Sequence, residues 1–114
     1  MTAYTTQTLV PTLEYTSGNT YVGAAVPAAN YYGGQGAIQT IMFDVDAFRG
    51  SLTVEATLND LQDSAPWFEI ANIGNDGNTI TGTSSTTVVG NFTWLRAVIT
   101  DFSAGNVNTV TASY

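Results

Sequence analysis

The chain has no cysteine and no histidine, and its two basic residues are Arg49 and Arg96, so lysine is missing as well. Each absence removes chemistry. Without thiols or imidazoles there is no thiolate nucleophile, no histidine base and no ordinary zinc site. Without lysine there is no Schiff base and no Walker-type phosphate loop. Nine acidic residues against two basic ones leave a net charge of −7. Such a surface does not neutralise phosphates, so neither nucleic acid nor an anionic membrane is an expected partner. The lack of cysteine fits synthesis in a reducing cytosol. No apolar run approaches the roughly 20 residues of a membrane span. Residues 1–4 (MTAY) carry neither the basic segment nor the apolar stretch of a signal peptide, so none is expected.

What is present suits extended chain. Charged residues make up 10% of the 114 positions and hydrophobic ones 44%, where an average soluble domain has roughly 25% charged. Threonine, serine, asparagine and glycine fill the difference. Threonine favours strands, and glycine and asparagine make the turns between them. The length predicts one domain over residues 1–114. Within it, residues 1–36, interrupted by Pro11 and Pro27, read as a less regular N-terminal segment or arm holding one or two strands. Residues 37–114 read as the regular core.

From residue 37 the pattern is orderly. Ile41, Phe43 and Val45 alternate on one face, with Ile38 and Met42 on the other, which predicts a central strand covered on both sides. Leu52, Val54, Ala56 and Leu58 alternate inward against Ser51, Thr53, Glu55 and Thr57. Residues 46–50 (DAFRG) are predicted to be the turn between these strands, and residues 59–66 a loop with room for one helical turn near residues 60–65. Residues 67–70 (WFEI) restart a strand. Residues 74–85 predict a turn followed by a polar, mobile stretch, with a short strand ending at residues 88–90. Residues 92–100 (FTWLRAVIT) form the most apolar strand, with Phe92, Trp94 and Val98 joining Leu52 and Val54 as candidate core. Residues 103–106 are predicted to turn the chain into a last strand, 107–114. Short strands with frequent turns indicate an all-β, antiparallel β-sandwich of jelly-roll or immunoglobulin-like type. A closed barrel is the alternative.

Residues 40–114 resemble a family of small β-sandwich proteins and modules of bacteriophage virions, especially phages of cyanobacteria and other marine hosts. The resemblance lies in the strand running from Gly50 to Leu58, the pair Trp67 and Phe68, and the stretch from Gly90 to Gly105 (GNFTWLRAVITDFSAG). It implies a non-enzymatic virion protein, most directly a capsid decoration or cement protein bridging capsid subunits. A tail, baseplate or fibre-associated module is the alternative within the particle. It implies no cofactor and no catalytic residues. The expected partners are the major capsid protein and copies of the chain itself, a trimer among the arrangements.

Trp94 and Arg96 share a strand face by i, i+2 spacing. An arginine among Phe92, Trp94 and Val98 is costly unless paired. Asp44, Asp46 and Asp101 are therefore expected to hold Arg96 in a partly buried structural ion pair. Asp44 and Asp46 lie about 7 Å apart along a strand, a carboxylate pair that hydrolysis would need, but no polar cleft is evident around them. Asn72, Asn75, Asp76 and Asn78 offer oxygens for calcium, yet with a single carboxylate they read better as an ordinary turn. No metal site is expected. Tyr15, Tyr21, Tyr31 and Tyr32 are candidate interface residues, since tyrosine is enriched where proteins meet. Together with Tyr4, Trp67 and Trp94 they also admit a glycan-binding host-adhesion module, a reading that leans on analogy of fold.

Overall fold

A computed structural model describes residues 6–11, 13–14, 20–28, 38–58, 66–74, 79–90 and 92–114. The expected helical turn at 60–65, the polar residues Asn75, Asp76 and Asn78, and the tyrosines Tyr15, Tyr31 and Tyr32 lie outside them. Among the described residues none is helical. The strands are β1 (Thr6–Val10), β2 (Leu13–Glu14), β3 (Tyr21–Val22), β4 (Val26–Pro27), β5 (Ile38–Thr57), β6 (Phe68–Ile73), β7 (Ile80–Val89) and β8 (Trp94–Ser113). All pairings are antiparallel and join one sheet that does not close into a barrel. The all-β, sandwich-like class expected from the sequence is what is found.

The two 20-residue strands, β5 and β8, are the frame. They pair along almost their whole length, from Thr40 opposite Ser113 to Thr57 opposite Trp94. β1 to β4 line up in order along the free edge of β8, from Thr6 opposite Ser113 to Pro27 opposite Trp94. β7 and β6 do the same along the free edge of β5. The sheet is therefore four long runs wide, and it is folded double. Extended, a 20-residue strand would span about 60 Å, whereas the longest dimension of the molecule is 39 Å. The chain itself confirms the fold. Val89 lies opposite Ile38 at one end of β5, and Trp94 opposite Thr57 at the other. Only four residues join Val89 to Trp94, a reach of at most about 17 Å. Tyr114 crosses the same gap, its hydroxyl donating to the Pro27 carbonyl at 2.7 Å.

The crease lies at residues 46–50 of β5 and 101–105 of β8. The pairing register shifts between Asp46 and Arg49 and again between Arg49 and Ser51, and Ala47 and Asp101 take positive φ angles of 51° and 54°. Each bulge inserts a residue, bends the strand and restores the inward face. In β5 the buried set runs Ile41, Phe43, Val45, then Phe48, then Leu52, Val54, Ala56, so the parity changes across the crease. In β8 it runs Leu95, Ala97, Ile99, then Phe102, Val107, Val110, Ala112. Phe48 and Phe102 meet at the crease with ring centroids 5.4 Å apart. Gly105 is indispensable there. Its φ is 85°, and a Cβ would stand 2.0 Å from the Ala47 carbonyl oxygen. Ala47 is held in its strained conformation partly by its N–H, which donates to Thr81 Oγ1 at 2.9 Å.

The crease makes two layers from one sheet. The first holds β1, β2, β7 and the halves of β5 and β8 next to them. The second holds β3, β4, β6 and the remaining halves. Both bury into one shared core.

Several expectations are corrected by this architecture. Residues 46–50 and 103–106 are bends within continuous strands rather than hairpin turns, because their pairing partners carry on through them. Residues 80–85 are strand, paired to β5. The described strands of the N-terminal segment, β1 to β4, pair with stretches of the outer edge of β8. Ile38 is exposed, so β5 is not covered on both faces, and Leu58 is exposed while Thr57 is buried, because β5 ends between them. Leu52, Val54 and Phe92 are core as expected. Trp94 and Val98 are only half-buried: they sit on the outer face, and Leu95, Ala97 and Ile99 face inward.

Candidate interaction surface

Arg96 is paired, but not with the aspartates expected. Its Nε donates to Glu55 Oε1 at 2.8 Å, the two side chains being 28% and 23% exposed. The register explains the choice. Glu55 lies directly opposite Arg96 on the outer face of the second layer, where a cross-strand ion pair needs no backbone adjustment. Asp44 is far along the sheet in the first layer and accepts from Asn108 Nδ2 at 3.2 Å. Asp46 is exposed opposite Asn106, and Asp101 is exposed in the crease. The guanidinium also stacks 4.4 Å above the Trp67 ring, a cation–π contact that gives the outer face a rigid centre. One face of Trp67 is thus already covered.

The two carboxylates Asp44 and Asp46 are not held together as one site. Asp44 is engaged by Asn108, and a register shift falls between it and Asp46. Among the described residues no group of three or more acidic side chains is placed to hold a metal ion. Asn72 donates its side-chain amide to Glu69, so it is used locally. Tyr21, opposite Ile99, packs half-buried against the core and is a packing residue rather than a free contact.

The surface feature that sequence reasoning missed is apolar and lies at the open end, where the two edges of the crease-folded sheet meet. Val89 is 72% exposed, Leu58 61%, Ile38 59% and Phe68 41%. Their neighbours place them together. Ile38 and Val89 are cross-strand partners. Thr93, four residues past Val89, donates its N–H to the Thr57 carbonyl and its hydroxyl to that of Leu58, at 2.9 and 3.3 Å. Phe68 meets the buried Phe92 edge to face at 5.8 Å. The seam beneath is fastened by Gln39, fully buried, whose Nε2 donates to the Val88 and Gly90 carbonyls at 3.1 and 3.3 Å. Beside it a groove of about 510 Å³ is lined by Ile38, Thr40, Ser113 and Tyr114. Exposed apolar side chains gathered at one place mark a contact surface, whereas scattered ones carry no meaning. The available signal was positional: Ile38, Leu58 and Val89 each stand at a strand end, where alternation no longer dictates burial.

Comparison with models of known protein families and with curated proteins finds no match.

Proposed function

We propose that the chain is a non-enzymatic structural protein of a bacteriophage particle, a capsid decoration protein that seats the open end of its folded sheet on the major capsid protein. The observation that supports this reading is the gathering at one end of Val89, Leu58, Ile38 and Phe68, four of the five exposed large apolar side chains among the described residues, the fifth being Val22 on the edge of the second layer. Such an end offers apolar contact at low ordering cost, since valine, isoleucine and leucine lose little rotamer freedom. Its mechanism is mass action. A ligand that binds the assembled shell and not the free subunits shifts assembly toward the shell. Repetition over many equivalent sites multiplies a modest affinity.

The test is to image intact particles and purified shells by cryo-microscopy. Symmetric density on the shell, contacting capsid subunits through the open end, is the expected result. Density confined to the tail moves the protein to the tail-module alternative, and absence from the particle ends the proposal. A paired variant, Leu58→Asp with Val89→Asp, is expected to melt like the native protein while its binding to shells falls at least about tenfold, as for removal of a central apolar contact.

A further inference from the structure

We infer that β7 is an open pairing edge, and that it takes the β7 of a second copy of this chain, antiparallel, to form a two-fold dimer. The inference stands on the edge itself and does not depend on where the protein resides.

β7 is bonded to β5 on one side and, among the described strands, to nothing on the other. Every residue from 81 to 87 is exposed, those of both parities alike, so neither layer covers either face of this strand. A ten-residue strand bonded on one side turns the N–H and C=O groups of about half its residues toward solvent. Natural edges of this length are usually blunted by lysine, proline, an inward charge or a bulge. β7 (ITGTSSTTVV) contains no charge and no proline. From Thr83 to Val89 its register against β5 runs without a shift, so the edge is straight over most of its exposed length, the one shift falling at residues 80–82.

The occupant follows from charge and from symmetry. Every acidic residue of the chain lies outside residues 77–100, and the single charge within that span is Arg96. Two molecules each carrying −7 repel least where charge is sparse, and β7 itself carries none, with Asp44 one strand in, opposite Thr83. A charged peptide would find nothing there to recognise. A second β7 would find itself. With the two-fold axis at Ser85, each Thr83 stands opposite Thr87 of the second copy and Ser85 opposite Ser85. The hydroxyl pairing this requires already exists on the other side of the strand, where Thr40 and Thr87 are joined through their Oγ1 atoms at 3.1 Å. Cross-strand Thr–Thr and Thr–Ser pairs are favourable. A single strand pair buries less than the roughly 1,200 Å² of a permanent interface, so the dimer is weak and concentration-dependent in solution and strengthens where copies are held side by side.

Sedimentation equilibrium of the native protein is expected to show a reversible monomer–dimer mass. The pair of substitutions Thr83→Lys and Thr87→Lys sets like charges opposite each other and should weaken the dimer at least about tenfold. Thr83→Lys with Thr87→Asp sets opposite charges in the same places and should restore it. The natural absence of cysteine allows a test that needs no folding assumption. Ser85→Cys should crosslink to a covalent dimer under mild oxidation at least about ten times faster than Thr100→Cys, because only the axial position brings two Cβ atoms within disulfide reach. A strictly monomeric native protein up to about 1 mM, an unaltered dimer in the double-lysine variant, or equal crosslinking at the two cysteine positions would each overturn the inference.

Discussion

On the first layer the outward side chains are mostly hydroxyls, Thr40, Thr83, Ser85, Thr87 and Thr111, with Met42 and the Asn108-bonded Asp44 among them. On the second layer the outward centre is Arg96 held by Glu55 and stacked on Trp67, with Trp94 and Val98 half-buried beside it. Inward, the layers are built alike, from alternating aliphatic and phenylalanine side chains that share one core. The difference teaches where each property resides. Burial sets stability and is common to both layers. The outer faces are free to differ, and so are the ends and edges, which is where contacts with other molecules can be made without disturbing the fold.

The largest effect should come from the crease, where both layers depend on one backbone geometry. Gly105→Val puts a branched side chain at φ 85° against the Ala47 carbonyl. The expected loss exceeds about 4 kcal/mol, enough to leave little folded protein in a urea titration. A well-folded variant would show that the crease is not what couples the layers. Next are matched truncations, Phe43→Ala in the first layer and Leu52→Ala in the second, both at buried positions. Each is expected to cost about 3–5 kcal/mol, in a single cooperative transition. Two separate transitions would mean that the layers have separate cores and the comparison fails. The smallest effects sharpen the contrast between outer faces. Arg96→Ala removes a partly exposed ion pair and a cation–π contact and should cost about 1 kcal/mol. Thr40→Val, in the hydroxyl face, should stay within about 0.5 kcal/mol. Equal costs would dissolve the distinction between the two faces.

Much of the inner face was legible. Strict alternation picked out Ile41, Phe43, Val45, Leu52, Val54 and Ala56, since a strand buried on one face must repeat every second residue. The same rule failed wherever an extra residue entered a strand. Across residues 46–50 the glycine, the acid and the parity change look identical to a hairpin turn in one dimension, and only the unbroken partner strand shows a bend. It failed again at Trp94: hydrophobicity alone put this side chain inside, while the pairing of Arg96 with Glu55 puts that parity outside. Distance along the chain does not select the partner of Arg96: Asp101 is near it in sequence and Asp44 and Asp46 are farther off than Glu55, 41 residues away, yet Glu55 is the one directly opposite in the sheet. Gln39 gave no signal at all, since a buried amide is recognisable only by the carbonyls that receive it.

Composition by itself determined that this chain would be extended, neutral over long stretches and without thiol, imidazole or amine chemistry, because those properties depend on which residues are present. Alternation determined most of which side chains face inward, because the period of a strand is local. That two long strands crease at the same level, bringing four apolar strand ends together and leaving β7 uncovered, was decided by the tertiary structure alone. Register between strands distant in sequence is a cooperative outcome of filling one core, and no single segment contains it.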